Sequence, residues 1–135
     1  MPKEDYLLKY LEKLSRVLAA MLGLRDKGFP EEALRLADET YKDLLTIDLD
    51  SISSMPVNEF IEIVRKNSYP TSYIEALAKI TKETANCYTA MGNTTNRRIF
   101  SEKALLLYQL LNEKDKTFSF EREMIISELK ELIKN

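Results

Sequence analysis

Apolar residues at positions 7, 11, 14, 18, 21 and 22 recur at the helical period, which predicts a first helix over about 4–27. Gly28 follows it and is suited to close a helix in the left-handed region. Placed at about 100° per residue, the apolar side chains from Tyr6 and Leu24 round to Leu8 span an arc of roughly 200°, wider than one neighbouring helix covers. The first helix is therefore expected either at the centre of the fold or at a contact between copies, with Tyr6 and Tyr10 in that contact. Pro30 and the acidic pair Glu31 and Glu32 open a second helix, about 30–46, because proline is tolerated in the first turn and the helix dipole favours anions there. Its inward face is Ala33, Leu34, Ala37, Tyr41, Leu44 and Leu45.

From Asp48 to Met55 no helical period is visible, so this stretch is read as a spacer, followed by a short helix carrying Val57, Phe60, Ile61 and Val64 and ending near Lys66. After Pro70 a longer helix, about 71–91, aligns Tyr73, Leu77, Ile80, Thr84, Cys87, Tyr88 and Met91 before Gly92 ends it. A further helix over about 95–113, capped by Thr94 or Thr95, buries Ile99, Phe100, Ala104, Leu107, Tyr108 and Leu111. The last helix, within 118–134, is capped by Thr117 or Ser119 and packs Ile125, Ile126, Leu129, Leu132 and Ile133 on the preceding pair. The expected fold is all-α: one compact antiparallel α-hairpin bundle of about six helices. Hairpin 1 covers about 4–46, the spacer and short helix 48–67, and hairpin 2 about 70–113.

Composition narrows the chemistry. The 135 residues include no His, one Cys and three Gly, which removes His-based nucleophile pairs, zinc helices, disulfide frameworks and glycine-rich phosphate loops. No cofactor or metal is expected, and no pairing of Tyr, Lys and carboxylates points to an enzyme. The first 50 residues hold 8 basic and 11 acidic side chains, and Arg97 and Arg98 are the only adjacent arginines, so the sequence does not point to nucleic acid. The longest apolar run, Val17 to Leu24, is too short to cross a bilayer, and MPKEDYLLKY has neither signal nor transit character. A cytoplasmic protein is expected.

Gly28 and Gly92 each follow a long helix and precede another, and they mark an internal repeat. KGFPEEALRLADETYKDLLTID (27–48), with Gly28 at the turn and Glu32, Ala33 and Leu34 after it, resembles the turn and second helix of a tetratricopeptide repeat. MGNTTNRRIFSEKALLLYQLL (91–111) resembles a second copy, with Gly92, the pair Ala104 and Leu105, and Ala85 and Tyr88 upstream. The likeness covers about 14–47 and 78–111. It departs from the pattern at Met21 and Arg97, where small residues are expected, and in the insert over 48–77.

The resemblance implies a protein-interaction scaffold in which the first helix of each hairpin lines a concave groove for a peptide or partner helix. It places Lys79, Lys82, Asn86 and Thr89 in that groove, with Arg25 as the basic residue from the first hairpin. Lys82 and Asn86, one turn apart, resemble half of the clamp by which some of these domains hold a terminal carboxylate, through charge-assisted bonds. The same face also reads as a solvated ladder in which Glu75, Lys79 and Glu83 satisfy one another at i, i+4. The alternative is self-association through the first helix.

Three smaller features complete the reading. Asp48, Asp50 and Glu59 have a spacing reminiscent of a calcium loop, but Ile52 stands at a ligand position and Ser53 where glycine is required. The polar run from Asn93 to Arg98 suits helix capping better than anion binding, and Cys87 reads as a small core side chain.

Overall fold

A computed structural model describes residues 3–134. Among them the chain forms seven helices and no strand: α1 (Lys3–Asp26), α2 (Pro30–Leu45), α3 (Leu49–Ser54), α4 (Val57–Lys66), α5 (Thr71–Ala90), α6 (Thr94–Lys114) and α7 (Phe120–Lys134). None of these is long and apolar enough to cross a membrane.

The two glycine turns are built alike. Gly28 and Gly92 have φ of 90° and 74°, the left-handed region that glycine enters without steric cost. At each, the following residue's amide reaches back five positions, Phe29 to the Leu24 carbonyl at 2.8 Å and Asn93 to the Tyr88 carbonyl at 2.9 Å. This paired bonding satisfies carbonyls that a helix end leaves free. The result is two hairpins, α1 with α2 and α5 with α6, with α5 packed against both helices of the first.

The centre of the fold is α5, so of the two placements expected for α1 from its wide apolar arc, the central one does not hold. The buried residues of α5 include the polar Thr81, Glu83 and Thr84, of which Thr81 and Glu83 lie outside the face that periodicity aligned. The two threonine hydroxyls donate to the carbonyls of Leu77 and Ile80, both at 2.8 Å, and each lies within 3.2 Å of the Tyr41 hydroxyl. Polar groups satisfied this way can be buried without the cost of unmade hydrogen bonds. α1 lies at the edge against α2 and α5, with Leu14 and Met21 fully buried and Leu22 38% exposed.

The stretch expected to be a spacer contains α3. Asp48 caps it, accepting from the Ser51 amide at 2.8 Å, and Leu49 and Ile52 are buried one turn apart. A helix of 6 residues is too short to display a period, which is why the sequence concealed it. α3 is tied to α6 by Ser53, whose hydroxyl donates to Asn96 Oδ1 at 3.0 Å, and by the Lys103 ammonium, 2.7 Å from the Met55 carbonyl.

Capping also differs in detail. Asn93, rather than Thr94 or Thr95, caps α6 by accepting from the Asn96 amide at 3.0 Å. Ser119 serves α7, its hydroxyl oxygen 3.2 Å from the Arg122 amide. Met91 lies past the end of α5 and is 40% exposed instead of inward.

Candidate functional site

α1 carries two adjacent stripes at alternating spacings of 3 and 4, the spacing of a helix-packing seam. Leu7, Tyr10, Leu14, Val17, Met21 and Leu24 form the first, and all belong to or pack against the hydrophobic core. Leu8, Leu11, Ser15, Leu18, Leu22 and Arg25 form the second, one residue further round, and none of these is fully buried. The broad apolar arc of the sequence is these two stripes side by side.

The second stripe forms one wall of a furrow. Two confluent recesses, sharing Leu18 and Lys79, run between α1 and α5. The smaller end, about 230 Å³, is bounded by Leu11, Ser15, Ser72 and Ala76. The larger, about 400 Å³, continues past Leu22 to Arg25 and Asn86, with Glu121 and Ile125 of α7 on its far rim. From Leu11 to Arg25 the furrow follows about 21 Å of helix.

Four of the five expected groove residues meet in the larger recess: Arg25, Lys79, Lys82 and Asn86. Thr89 is not among its lining residues; it is exposed, and its hydroxyl donates to the Ala85 carbonyl at 3.0 Å. The recess already contains a carboxylate of the chain itself. Glu83, with 3% of its side chain exposed, accepts from Arg25 Nε at 2.5 Å and Arg25 Nη2 at 3.2 Å. Asn86 Nδ2 donates to the same carboxylate at 3.1 Å. The Glu83 hydrogen bond holds the Arg25 guanidinium above its ordinary pKa.

Asn86 is therefore committed to Glu83 and does not converge with Lys82 on an open position. Lys82 reaches Glu128 of α7 at 3.4 Å, and Lys79 reaches Glu75 at 4.0 Å. The expected ladder is broken at Glu83, which turns to α1 instead of pairing with Lys79. The thiol of Cys87 lies 3.7 Å from Glu83, and its pKa is pushed up to about 12 by burial and then by that negative charge. Such a thiol is protonated and inert at neutral pH.

The far rim is fixed by Arg122, nearly buried at the start of α7. Its Nη2 lies 3.3 Å from both Glu75 and Asp115, and its Nη1 donates to Asn112 at 3.1 Å. The Tyr108 hydroxyl, on the lining of the larger recess, is buried and has no hydrogen-bond partner among the described residues. Burial raises the Tyr108 phenol, with Glu75 and Glu121 adding to the effect. Its side chain matches the apolar stripe of α6, so the sequence reading placed it in the core; the unpaired hydroxyl becomes visible only when α7 is in place.

Of the two predicted self-contact residues, Tyr6 is 65% exposed, whereas the ring of Tyr10 packs 5.5 Å from that of Tyr73 within the chain. Near Asp48 and Glu59 the helix cap engages the first carboxylate, and among the described residues no group of three or more acidic, Cys or His side chains is placed to hold a metal ion. No protein-family model, curated protein or solved structure matches the chain.

Proposed function

We propose that this chain is a non-enzymatic interaction module of tetratricopeptide-like design, and that the furrow walled by α1, α5 and α7 receives a peptide or partner helix. In this reading α1 and α5 are the first helices of two hairpins and α7 stands where a third would be, so the three share one concave face. The observation that carries it is the gathering of Arg25, Lys79, Lys82 and Asn86, separated by up to 61 positions in sequence, in one recess beside half-exposed leucines. Helix-lined grooves with apolar anchors and a few placed polar groups are a recurrent mode of peptide recognition. A cytoplasmic setting accords with the single buried cysteine.

The test is a photo-crosslinking amino acid placed at Leu22 in the furrow and, as control, at Glu39 on the exposed face of α2, in the source cell. The proposal expects one discrete adduct from Leu22 that Glu39 does not give. Identical adducts from both positions would overturn it.

Self-association is the second reading, favoured by Tyr6 at 65% and Leu8 at 56% exposure on the first turns of α1. Sedimentation of wild type against a Tyr6→Glu/Leu8→Glu variant separates it from the first: a dimer lost on substitution would support it.

A further inference from the structure

Resting on the furrow reading, we infer that its occupant is an amphipathic helix of about 14 residues with a leucine-type seam and Lys or Arg along its edges.

The seam follows from α1. Leu8, Leu11, Leu18 and Leu22 stand at the 3–4 spacing with Ser15 as a small position between them, and one face of an incoming helix with the same spacing would interdigitate with them. An extended peptide would leave that periodicity unmatched.

The edges follow from charge. Every basic side chain of the furrow already has an internal carboxylate: Arg25 has Glu83, Lys79 has Glu75 and Lys82 has Glu128. On the rims the balance is reversed. Glu12 beside the α1 stripe and Glu121 on α7 have no ionic partner among the described residues, and Asp26 and Glu128, although within 4.0 Å of Arg25 and 3.4 Å of Lys82, keep 74% and 58% of their side chains exposed. Both edges thus present exposed carboxylate. Cationic groups on an incoming helix satisfy these positions, whereas carboxylates are repelled at both rims. Two copies of α1 laid seam to seam would bring their Glu12 and Asp26 rims together, which argues against a second copy as occupant.

The experiment uses two fluorescein-labelled helical peptides of about 18 residues, sharing one leucine seam, one edged with Lys and the other with Glu. Anisotropy titration of the full chain is expected to show the Lys-edged peptide binding about tenfold more tightly, with an advantage that shrinks as salt rises. In the surface variant Glu12→Lys/Glu121→Lys that advantage disappears or reverses. Equal binding of the two peptides, or preference for the Glu-edged one, overturns the inferred chemistry and leaves the furrow reading standing. Failure of both to bind also overturns it, and the Leu22 cross-link then decides whether the furrow reading falls as well. A dimer of the wild-type chain that Leu22→Glu dissociates would overturn it in favour of a second copy.

Discussion

Arg25 and Glu83 are 58 residues apart, yet the guanidinium of the first grips both carboxylate oxygens of the second, at 2.5 Å from Nε and 3.2 Å from Nη2. The pair joins the last turn of α1 to the middle of α5 and closes one end of the furrow. It also occupies Arg25 and Asn86 with a carboxylate of the chain itself, which leaves neither free to hold one from outside.

Removing one member of this pair is expected to cost more than removing both. Arg25→Met leaves the Glu83 carboxylate buried without its counter-ion and should lower stability by about 2–4 kcal/mol, whereas Arg25→Met/Glu83→Met should recover most of the loss. Urea denaturation of the two variants checks this; equal losses would mean that the pair is solvated.

The left-handed turns give a purely backbone prediction. A Cβ at Gly28 or Gly92 would meet no atom within 4 Å, so the cost of Gly→Ala at either is conformational, about 1–2 kcal/mol. Asn, which tolerates the left-handed region, should cost less than Ala at both positions. Thermal melts of the four variants provide the comparison.

Ala33 is fully buried near the start of α2. Ala33→Leu should overpack the interior there and destabilise the chain by about 1–3 kcal/mol. An unchanged melting temperature would show that the site has room to spare.

The acid limb of stability is set by hydrogen-bonded carboxylates. Asp38, bonded by the Leu49 amide at 2.9 Å, Asp48, bonded by Ser51, and Asp115, bonded by the Thr117 amide at 3.0 Å, are all held below the ordinary 3.8. A depressed carboxyl stabilises the fold above its unfolded value and loses that contribution as pH falls through the folded one, so melting temperature should drop below about pH 4. Asp38→Asn should make this limb shallower. At the alkaline end, Cys87 and Tyr41 are raised by burial from 9.0 and 10.0 to about 12. Their contribution is complete below those unfolded values and fades as pH rises through the folded ones.

The helices that sequence reveals best are those whose buried face is mainly apolar, as in α2, where Thr40 is the single buried exception. In α2 the residues expected inward, Ala33 through Leu45, are all buried, and the glycines stand at the two left-handed turns. In α5 periodicity found the face through Tyr73, Leu77, Ile80 and Thr84 but not the burial of Thr81 and Glu83, each satisfied by a partner that only the folded chain supplies. The furrow was partly legible for the same reason. Periodicity placed Lys79, Lys82 and Asn86 on one helix, but the turn of Glu83 toward Arg25, and the arrival of α7 beside Tyr108, depend on contacts between residues far apart in sequence.

The most direct test of the furrow as a docking face is amide hydrogen exchange of the full chain, with and without the segment cross-linked through Leu22. Slowed exchange confined to α1 between Leu11 and Arg25, to α5 and to the first turns of α7 is the predicted result. Protection that falls on α2 and α4 instead, with the furrow helices unchanged, would contradict the account.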